Sequence, residues 1–528
     1  MMTRLIRIAV FVLPLITVVM AQGGGYALDF DGSNDYVEVP YASAINPTSY
    51  TVSAWAKVEG GSGDWRSVIT SRSETGSDDK GYIIYAGDND TWQFWTGTGT
   101  GTNSGGGSWH QINSGVSVYP GGSGWAFLTA TYDGTTMKFY VNGVQKGGNL
   151  NASAHKNTTE PMRIGAGTTE VTVPDYYFNG KIDEVRIWND ARTAAEIKEY
   201  MHKEVASDAS GLVAYYKMSN GVDISLTDNT SNGNTGTLSG MDNSDWVTSY
   251  APIGDLNSSY ETDVEGIWSV SGTSASDASD GLTMTVGSTL STGNFAVYGN
   301  NNTSGTSTSD LGSVGSSIRT GRIWQVDESG TVAGTVTIDI SDATGNSGQS
   351  GTASNYRLLY RSGTSGDFSS AGTGASISGD AVSFTSISLE DGYYALGGES
   401  DAYLTPYVTI SGSSDHFRMM SSPVAGTVYD DILGDLWIQG MTNGDTESGT
   451  ANVWTYDGSS WNALSNLNTA SQTAGAGFLV YVYTDTDNDG DDDLPVTPIL
   501  SGTVNTGNVT VPSSGSIDAD AWEFAGNP

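Results

Sequence analysis

The sequence predicts an all-β protein built from several antiparallel sandwich modules. Three observations predict this class: glycine supplies 70 of the 528 residues, Ser and Thr are abundant, and short segments rich in Val, Ile, Tyr and Trp alternate with turn signals. Hydrophobic residues make up 37% of the chain, which is enough to build real cores. We therefore expect strands joined by glycine-rich loops, with a single convincing helix.

The first 21 residues have the pattern of a secretory signal peptide. Arg4 and Arg7 form a positive region, and residues 8–20 form an apolar run too short to span a bilayer comfortably. Small residues precede an expected cut after Ala21. We therefore expect a secreted, extracellular or cell-surface protein with no membrane span after cleavage. A retained N-terminal anchor is the alternative.

Charge and cysteine content narrow the classes of partner. The chain has Lys+Arg 21 against Asp+Glu 59, a formal net charge of −38, and no cysteine. This charge repels nucleic acid and anionic membranes, so neither is an expected partner. A secreted chain without cysteine has no disulfides. Its stability must come from hydrophobic cores, with bound Ca²⁺ as a further expected source.

Residues 22–254 are predicted to form the first module, a two-sheet antiparallel sandwich. Apolar alternation marks its strands, and Asp133-Gly134 and Asn142-Gly143 are hairpin signals. One strand is predicted around Ile182 to Ile187, followed by a helix that Asp190 would cap. The apolar face of that helix is expected to pack on the edge or back of the sandwich. Its predicted members are Ala194, Ile197, Tyr200, Met201 and Val205.

The order of five segments in this module resembles the laminin-G-like, concanavalin A-like jelly-roll domain, in the version found in secreted bacterial proteins. The segments are FDGSNDYVEV (30–39), TVSAWAKV (51–58), WAFLTATYDGTTMKFYVNGV (125–144), MRIGAG (162–167) and FNGKIDEVRIWNDARTAAEI (178–197). The resemblance implies a jelly-roll sandwich over roughly residues 26–245. It implies little about function, because this fold serves many tasks.

Two further β-sandwich-type modules are predicted, at residues 255–402 and 403–528. The first of them resembles a recurrent β module of large secreted bacterial proteins and is expected to be a structural spacer. The last resembles C-terminal β modules of the same class. Because the chain stops abruptly after an aromatic strand, we expect it to continue beyond Pro528 into a sorting, anchoring or catalytic domain.

The sharpest local motif is the acidic loop DTDNDGDDD at residues 485–493. Carboxylates at alternate positions with a glycine in sixth place let a chain wrap an ion with oxygens. The predicted calcium ligands are Asp485, Asp487, Asp489, Asp491 (through its backbone carbonyl) and Asp493. Val496 stands where an EF-hand needs Glu, so the loop is closer to the short aspartate repeats of extracellular β proteins. A solvated acidic turn is the alternative.

The family resemblance implies a second calcium site near the sheet rim of the first module. Asp31, Asp35 and Asp183 are the matching candidates, because the first and last strands of such sandwiches usually pair. The alternative is structural: Asp31 would only make a turn with Gly32, and Asp183 would cap a strand.

An aromatic cluster is the candidate carbohydrate site. Exposed aromatic rings stack on the apolar faces of sugars, and neighbouring polar groups bind the hydroxyls. The predicted carbohydrate-binding residues are Trp109, Trp95, Trp92 and Tyr85, and Trp109 beside His110 is the preferred exposed candidate. The alternative is that most of these rings belong to the sandwich core.

No pattern in the sequence indicates catalysis. The strand KIDEVRIW lacks the E-x-D-x-x-E carboxylate spacing of glucanases on this fold, no cysteine is present, and no G-x-S-x-G elbow occurs. We therefore expect a non-catalytic protein whose first module binds carbohydrate or glycosylated surfaces, with Ca²⁺ as structural support. Two alternatives stay open: an adhesive or structural surface protein that binds protein partners without a sugar site, and the non-catalytic part of a larger secreted hydrolase.

Overall fold

The computed structural model describes residues 25–75, 78–99, 109–119, 124–276, 281–344, 352–398, 413–421, 428–457, 459–469, 477–494 and 496. The chain divides into two compact units, with the boundary between Asp255 and Leu256. The predicted signal peptide at residues 1–21 and the expected continuation past Pro528 lie outside the described residues. Within those residues, no helix has both the length and the apolar character needed to cross a membrane.

The first unit is almost entirely β-structure. Its strands are β1 Tyr26–Asp31, β2 Tyr36–Val39, β3 Tyr50–Val58, β4 Arg66–Thr75, β5 Asp78–Ala86, β6 Thr91–Gly97, β7 Trp109–Ser117, β8 Ala126–Tyr132, β9 Thr136–Val141, β10 Val144–Asn151, β11 Met162–Ile164, β12 Asn179–Trp188, β13 Leu212–Tyr216, β14 Ser225–Leu226, β15 Gly236–Ser239 and β16 Trp246–Thr248. Its one α-helix in the described chain is α1, Ala194–Glu199.

Two eight-stranded antiparallel sheets form the sandwich of this unit. Sheet A has the order β10-β9-β8-β3-β12-β1-β16, with β13 also paired to β12, and sheet B has the order β14-β15-β2-β11-β4-β5-β6-β7. Side chains from the inner faces of both sheets form one buried core, to which Val52 and Ile182 contribute from sheet A and Val37 and Phe94 from sheet B. The predicted all-β sandwich is therefore confirmed.

Local turn chemistry explains why neighbouring strands pair in register. Asn142 and Gly143 both have positive φ values, of 53° and 72°, and connect Val141 to its partner Val144. Such two-residue turns match the right-handed twist of the strands that they join. Asn142 also accepts a hydrogen bond from the Phe127 amide at 2.8 Å, which fixes the turn against β8.

The helix prediction is right in position and wrong in its start and length. Thr193, not Asp190, caps α1: the Thr193 hydroxyl accepts from the Glu196 amide at 3.3 Å, and the Glu196 carboxylate accepts from the Thr193 amide at 2.7 Å. This reciprocal capping box satisfies two free donors, whereas a cap at Asp190 would satisfy one. The helix ends at Glu199, and Ala194 is exposed rather than part of a buried face.

The segment that contains α1 covers the back of sheet A, as the apolar pattern predicted. Ile197, Met201 and Val205 are buried. Trp55 points away from the sandwich core, and its indole N–H donates to the Met201 carbonyl at 3.0 Å. The Arg186 guanidinium donates to the Tyr200 carbonyl at 2.6 Å. The outer side of sheet A is thus closed here by the chain itself.

The loop after β10 is fastened to β4 by a buried asparagine. The Asn157 side-chain amide donates to the Ser71 hydroxyl at 3.0 Å and to the Glu160 carbonyl at 2.7 Å. Its carbonyl oxygen accepts from the amides of Thr159 and Glu160. Asn157 is completely buried, so these four hydrogen bonds replace the water that its polar side chain loses on folding.

Three sheets are found in the described residues of the second unit. Its strands are β17 Thr262–Ile267, β18 Ser274–Ser276, β19 Leu282–Val286, β20 Phe295–Asn300, β21 Thr306–Ser307, β22 Ile318–Thr320, β23 Trp324–Ser329, β24 Ala333–Asp339, β25 Tyr356–Arg361, β26 Ser369–Thr373, β27 Ser376–Ser378, β28 Ala381–Ser388, β29 Gly392–Gly398, β30 His416–Ser421, β31 Val453–Tyr456, β32 Trp461–Ala463 and β33 Gly477–Val482. Two short helices accompany them, α2 Ile340–Thr344 and α3 Tyr429–Leu433.

The sheets of the second unit pack around separate cores. An eight-stranded sheet, β17-β20-β23-β29-β22-β21 with β25 and β26, and a five-stranded sheet, β18-β19-β24-β28-β27, share one core. A four-stranded sheet, β30-β33-β31-β32, has another. In that second core Val453, Phe478 and Val480 pack with Ile432 and Leu433 of α3.

Candidate functional site

The outward face of sheet B carries a cluster of aromatic side chains. Successive side chains of a strand point to opposite faces of its sheet. On β6, Trp92 and Phe94 enter the sandwich core, so Gln93 and Trp95 face outward. Strand pairing sets Trp95 beside Ile83 of β5 and Gln111 of β7. The cluster therefore occupies the side of sheet B that the core does not use.

Trp95 is the centre of this cluster, which we call the aromatic face and define as Trp65, Tyr85, Trp95, Trp109 and Tyr176. The Trp95 ring centroid lies 5.2 Å from that of Trp65, 5.9 Å from Tyr85 and 6.5 Å from Trp109. Tyr176 contacts Tyr85 at 6.0 Å. All members are partly exposed except Tyr85, which is 4% exposed and forms the floor of the cluster. Burial raises the pKa of the Tyr85 phenol, which therefore stays neutral.

Amide side chains border the rings. The Trp95 indole N–H donates to the Gln93 side-chain oxygen at 2.9 Å, and the Gln93 amide donates to Asn89 at 3.0 Å. Gln111 and Asn113, on the neighbouring strand β7, are exposed on the same face. Asn113 accepts from the Thr91 hydroxyl at 2.9 Å. Rings and hydrogen-bonding amides thus lie together on one surface.

Arg72 is engaged by carboxylates at the margin of the aromatic face. Its guanidinium donates to Glu170 through Nε at 3.0 Å and through a second nitrogen at 2.5 Å, and it forms an ion pair with Glu74 at 2.9 Å. The same group lies 6.0 Å from the Trp109 ring centroid. This cation therefore holds Trp109 and the Glu170 loop in place.

The structure brings three of the four predicted carbohydrate-binding residues together and excludes the fourth. Trp109, Trp95 and Tyr85 lie in the aromatic face, whereas Trp92 is completely buried in the core. The prediction for Trp92 is wrong. Trp92 and Trp95 are three positions apart on β6, so their side chains point to opposite faces of the sheet. Sequence reasoning missed Trp65 and Tyr176. Trp65 immediately precedes β4, a position that could have indicated it.

The predicted calcium site at the rim of the first unit does not form. The first and last long strands do pair, but the register sets Asp31 opposite Asn179 and Leu28 opposite Ile182. Asp183 therefore lies several residues along the sheet from Asp31. Asp31 makes a turn instead: its carboxylate accepts from the Ser33 amide at 2.7 Å, and its amide donates to Asp35 at 2.9 Å.

Asp35 is a buried carboxyl group that accepts a hydrogen bond from the Asp31 amide. It is 4% exposed. Burial raises its pKa to about 6, and the nearby carboxylates of Asp31 and Asp245 contribute to that rise. A carboxyl group in this state is largely ionised only above pH 6.

Asp183 and Glu184 have a structural role inside a β-bulge of β12. Register shifts between Asp183 and Arg186, and Glu184 has a φ of 52°, so both carboxyl groups become completely buried. Asp183 accepts from the Ser249 hydroxyl at 2.5 Å. Glu184 accepts from Arg186 and from the Tyr215 hydroxyl, both at 2.5 Å. Burial, followed by the adjacent Glu184 charge, raises the pKa of Asp183 well above its ordinary value.

The acidic loop gathers three of its five predicted calcium ligands. Carboxylate oxygens of Asp485, Asp487 and Asp493 lie within 4.8 Å of one another. Asp489 is not a member of this group of three; its carboxylate accepts from the Asp491 amide at 3.2 Å. Partial desolvation and the nearby carboxylates of Asp489 and Asp493 raise the pKa of Asp487. Oxygen ligands at this spacing suit a hard cation such as Ca²⁺.

Two backbone positions shape this loop. Asn488 and Gly490 have φ values of 61° and 111°, and these left-handed turns fold the chain back on itself. The Gly490 amide donates to Asp485 at 3.0 Å, and the Thr486 amide donates to Asp493 at 2.8 Å. The carboxylates at the two ends of the loop are therefore held towards its centre by its own backbone.

The first unit is a two-sheet antiparallel β-sandwich of the jelly-roll type. Residues 31–198 match the family Laminin_G_3, described as the concanavalin A-like lectin/glucanases superfamily, and this match confirms the resemblance inferred from the sequence. In the second unit, residues 257–393 match a family described as a domain of unknown function (DUF8202). A search of curated proteins finds no match to the chain.

Several solved structures are similar to part of the chain. A candidate carbohydrate-binding protein from Bacteroides ovatus ATCC 8483 is 20% identical, with a TM-score of 0.32, over 41% of this chain and 58% of that protein. A SAP-like pentraxin from Limulus polyphemus is 14% identical, with a TM-score of 0.26, over 33% of this chain and 81% of that one. The CBM40 module of the Ruminococcus gnavus IT-sialidase, bound to α2,6-sialyllactose, is 13% identical, with a TM-score of 0.27, over 33% of this chain and 95% of that one.

These similarities are too distant to carry a functional argument. The chain spans 58% of the length of the Bacteroides ovatus protein. What the first unit binds must therefore be argued from its own residues.

Proposed function

We propose that the first unit binds carbohydrate through the aromatic face. One observation carries the proposal: Trp65, Trp95 and Trp109 lie partly exposed on the outward side of sheet B, while the inner side of the same sheet already supplies the core. The rings are thus not needed to close the sandwich. Aromatic rings with amide neighbours bind the apolar faces and hydroxyls of sugars.

The ring geometry favours a single glycan chain over a flat surface. The planes of Trp65 and Trp95 are inclined by 84°, and those of Trp95 and Trp109 by 52°. Rings inclined in this way cannot all lie against one plane. They can contact successive sugars of a chain that twists or bends, while Gln111 and Asn113 supply hydrogen-bonding groups beside them.

Binding without catalysis is part of the proposal. Glycoside hydrolysis uses two carboxyl groups on either side of the scissile bond. The adjacent pair Asp183 and Glu184 is completely buried and bonded to Ser249, Arg186 and Tyr215. These two groups therefore hold the sandwich together, and we assign them no part in chemistry on a sugar.

A comparison of two residues on one strand tests the proposal. A glycan array should identify a ligand, and titration calorimetry should then show that Trp95→Ala weakens binding by about tenfold or more while the protein stays folded. Trp92→Ala should instead destabilise the unit by about 3–5 kcal/mol, because it leaves a cavity in the core. Tyr250→Ala, which alters an exposed ring outside the aromatic face, is the matched control and should bind normally. Unchanged binding by Trp95→Ala would overturn the proposal.

Two further properties complete the proposed function. Ca²⁺ would be held by Asp485, Asp487 and Asp493 and would support the structure of the second unit. The protein would act outside the cell, because the pattern of Arg4, Arg7 and residues 8–20 is that of a signal peptide. Mass spectrometry of the protein recovered from its native culture medium or cell surface should show an N-terminus after Ala21, whereas an intact Met1 would contradict secretion by this route.

An adhesive role through protein contacts is a second candidate function. It is favoured by one observation in the second unit, where Phe417 and Met419 are 55% and 66% exposed. Large apolar side chains at such exposure are typical of interaction surfaces. The two functions occupy different units and do not exclude each other.

A further inference from the structure

One face of the four-stranded sheet β30-β33-β31-β32 is apolar and solvent-exposed. Strand register sets Phe417 opposite Tyr481, Met419 opposite Leu479, and Tyr456 opposite Trp461. Side chains in directly paired positions share a face of the sheet. We call this surface the C-terminal apolar face; its members are Phe417, Met419, Trp454, Tyr456, Trp461, Leu479 and Tyr481.

This face is not the side of the sheet that folding requires. The opposite side carries Val453, Phe478, Val480 and Val482, each 1% exposed or less, which pack with α3. The C-terminal apolar face is, by contrast, open to solvent: Met419 is 66% exposed, Phe417 is 55% exposed and Trp461 is 38% exposed. A sheet with a complete core on one side and large apolar side chains on the other is typical of a docking surface.

The rings on this face are already arranged against one another. The Phe417 ring centroid lies 4.9 Å from that of Tyr481 and 5.7 Å from that of Trp454. Tyr456 and Trp461 form a second pair at 5.2 Å. The faces of such aromatic rings attract cationic groups that come within about 6 Å of the ring centroid.

The part of the chain that carries this face is strongly negative in sequence. Arg418 is the sole Lys or Arg of residues 403–528, whereas residues 413–496 contain thirteen Asp and Glu residues. The acidic loop begins two residues after Tyr483, and Asp415 precedes the sheet and accepts from the Thr484 amide at 2.9 Å. Carboxylates therefore stand at the end of the sheet where Phe417 and Tyr481 are paired.

We propose that the C-terminal apolar face docks a basic polypeptide segment of a partner protein, one rich in Arg and Lys; this inference rests on the second candidate function, binding through protein contacts. The rings attract the cationic heads and cover their aliphatic stems, and the surrounding carboxylates steer the segment to the surface. A second copy of this chain carries the same negative charge and is repelled. A neutral glycan would gain nothing from the carboxylates. Charge complementarity therefore selects the basic segment.

The first experiment tests whether binding to this face depends on the positive charge of the peptide. The probe is a synthetic 20-residue Gly/Ser peptide with six Arg, and its control has citrulline at the same six positions, which keeps the shape and removes the charge. Calorimetry with the full chain should show binding of the Arg peptide at least about tenfold tighter than that of the citrulline peptide. Equal affinity for the two peptides would overturn the proposal.

The second experiment locates the binding on the face. Met419→Lys and Met419→Glu replace an exposed side chain with chains of similar length and opposite charge. Met419→Lys should weaken binding of the Arg peptide by about tenfold, because a cation then stands in the site, whereas Met419→Glu should preserve or strengthen it. Equal effects of the two substitutions on the affinity would overturn the assignment of a cationic partner.

A third comparison distinguishes the rings from the net charge of the protein. The double variant Phe417→Ser with Trp461→Ala keeps every charge and should lose about tenfold in affinity, while Tyr250→Ala in the first unit should lose none. Matching melting curves would confirm that the variants are folded. Unchanged binding by the double variant would show general charge attraction and overturn the proposal. The proposal would also be overturned if neutral oligosaccharides bound this face more tightly than the Arg peptide. A dimer of the protein that the double variant abolishes would overturn it as well.

Discussion

The two units contain carboxyl groups crowded together in opposite environments. In the first unit Asp183 and Glu184 are completely buried in a β-bulge, where Ser249 donates to Asp183, and Arg186 and Tyr215 both donate to one oxygen of Glu184. In the second unit the acidic loop exposes most of its carboxylates to solvent, and the hydrogen bonds to Asp485 and Asp493 come from the loop's own amides and from the Thr486 hydroxyl. Crowded carboxylates therefore do not by themselves indicate a metal site. What matters is whether the fold has already given them partners.

The largest expected effect tests the buried pair. Glu184→Gln removes the charge that faces the buried Arg186 guanidinium, and breaking such a pair costs about 3–5 kcal/mol of unfolding free energy. Urea denaturation should show this loss equally in calcium and in chelator. Glu199→Gln is the matched control, because the Glu199 side chain is 52% exposed and lies 3.5 Å from Lys203, so water screens the pair and it contributes at most about 1 kcal/mol. A loss no larger than that of the control would mean that the two regions differ less than their burial implies.

Asp35 is an intermediate case. It is buried and accepts a hydrogen bond from the Asp31 amide, and its effect on stability should appear as a pH dependence. Its pKa is about 6 in the folded protein against an ordinary value of 3.8. Because the folded value is the higher one, folding favours the protonated form. The contribution of Asp35 to stability is therefore full below about pH 3.8 and is lost as the pH rises through 6.

Asp35→Asn removes this titration while keeping an acceptor for the Asp31 amide. Denaturation of the first unit from pH 4 to 7 should show wild-type stability declining relative to the variant across the window from 3.8 to about 6. If the difference in stability between the two proteins stayed constant across this pH range, it would indicate that a cation keeps Asp35 ionised. Asp35 would then again be a candidate metal ligand.

A smaller effect is expected at the acidic loop. Ca²⁺ should raise the melting temperature of the second unit by about 3–5 °C, since a cation bound only in the folded state stabilises it. Asp487→Asn should remove most of that rise and leave the melting temperature in chelator unchanged. The same loss with and without calcium would place Asp487 in the structural class with Glu184.

The smallest effect should come from the neighbouring position. Asp489→Asn should reduce the calcium-dependent rise less than Asp487→Asn, because Asp489 lies outside the group of three carboxylates and already accepts a hydrogen bond from the Asp491 amide. Melting curves of the two variants at equal calcium concentrations make the comparison. If both variants lost the same part of the calcium-dependent rise, Asp489 would be a calcium ligand, as the alternating sequence pattern predicts.

Features set by nearby residues could be predicted from the sequence. The turn at Asn142-Gly143 and the strand β12 follow from local turn chemistry and apolar alternation, and both were correctly predicted. The jelly-roll class followed from the order of such segments, and the match of residues 31–198 confirms it. The start of α1 was misjudged because two polar candidates, Asp190 and Thr193, compete within one turn and only the latter forms a reciprocal cap.

Features set by register across distant strands could not be predicted. Asp31 and Asp183 are far apart in sequence, and a shift of a few residues between β1 and β12 decides whether they meet. The placement of the aromatic side chains likewise depends on which face of the strand each one occupies. Trp92 and Trp95 belong to one strand, yet Trp92 is in the core and Trp95 is outside it. Tyr176 reaches the aromatic face from a loop in which its φ is 57°, a conformation that no sequence pattern indicated.

The buried Asn157 has a practical consequence for producing the protein. Together with Thr158 and Thr159 it forms an acceptor triplet for N-linked glycosylation, and its amide nitrogen is bonded to Ser71 and Glu160 inside the fold. A eukaryotic secretory host that glycosylates the emerging chain would place a bulky glycan where β4 must close. Thr159→Ala, an exposed change that keeps the Asn157 side chain and the backbone amide it binds, should restore the yield of folded protein in such a host.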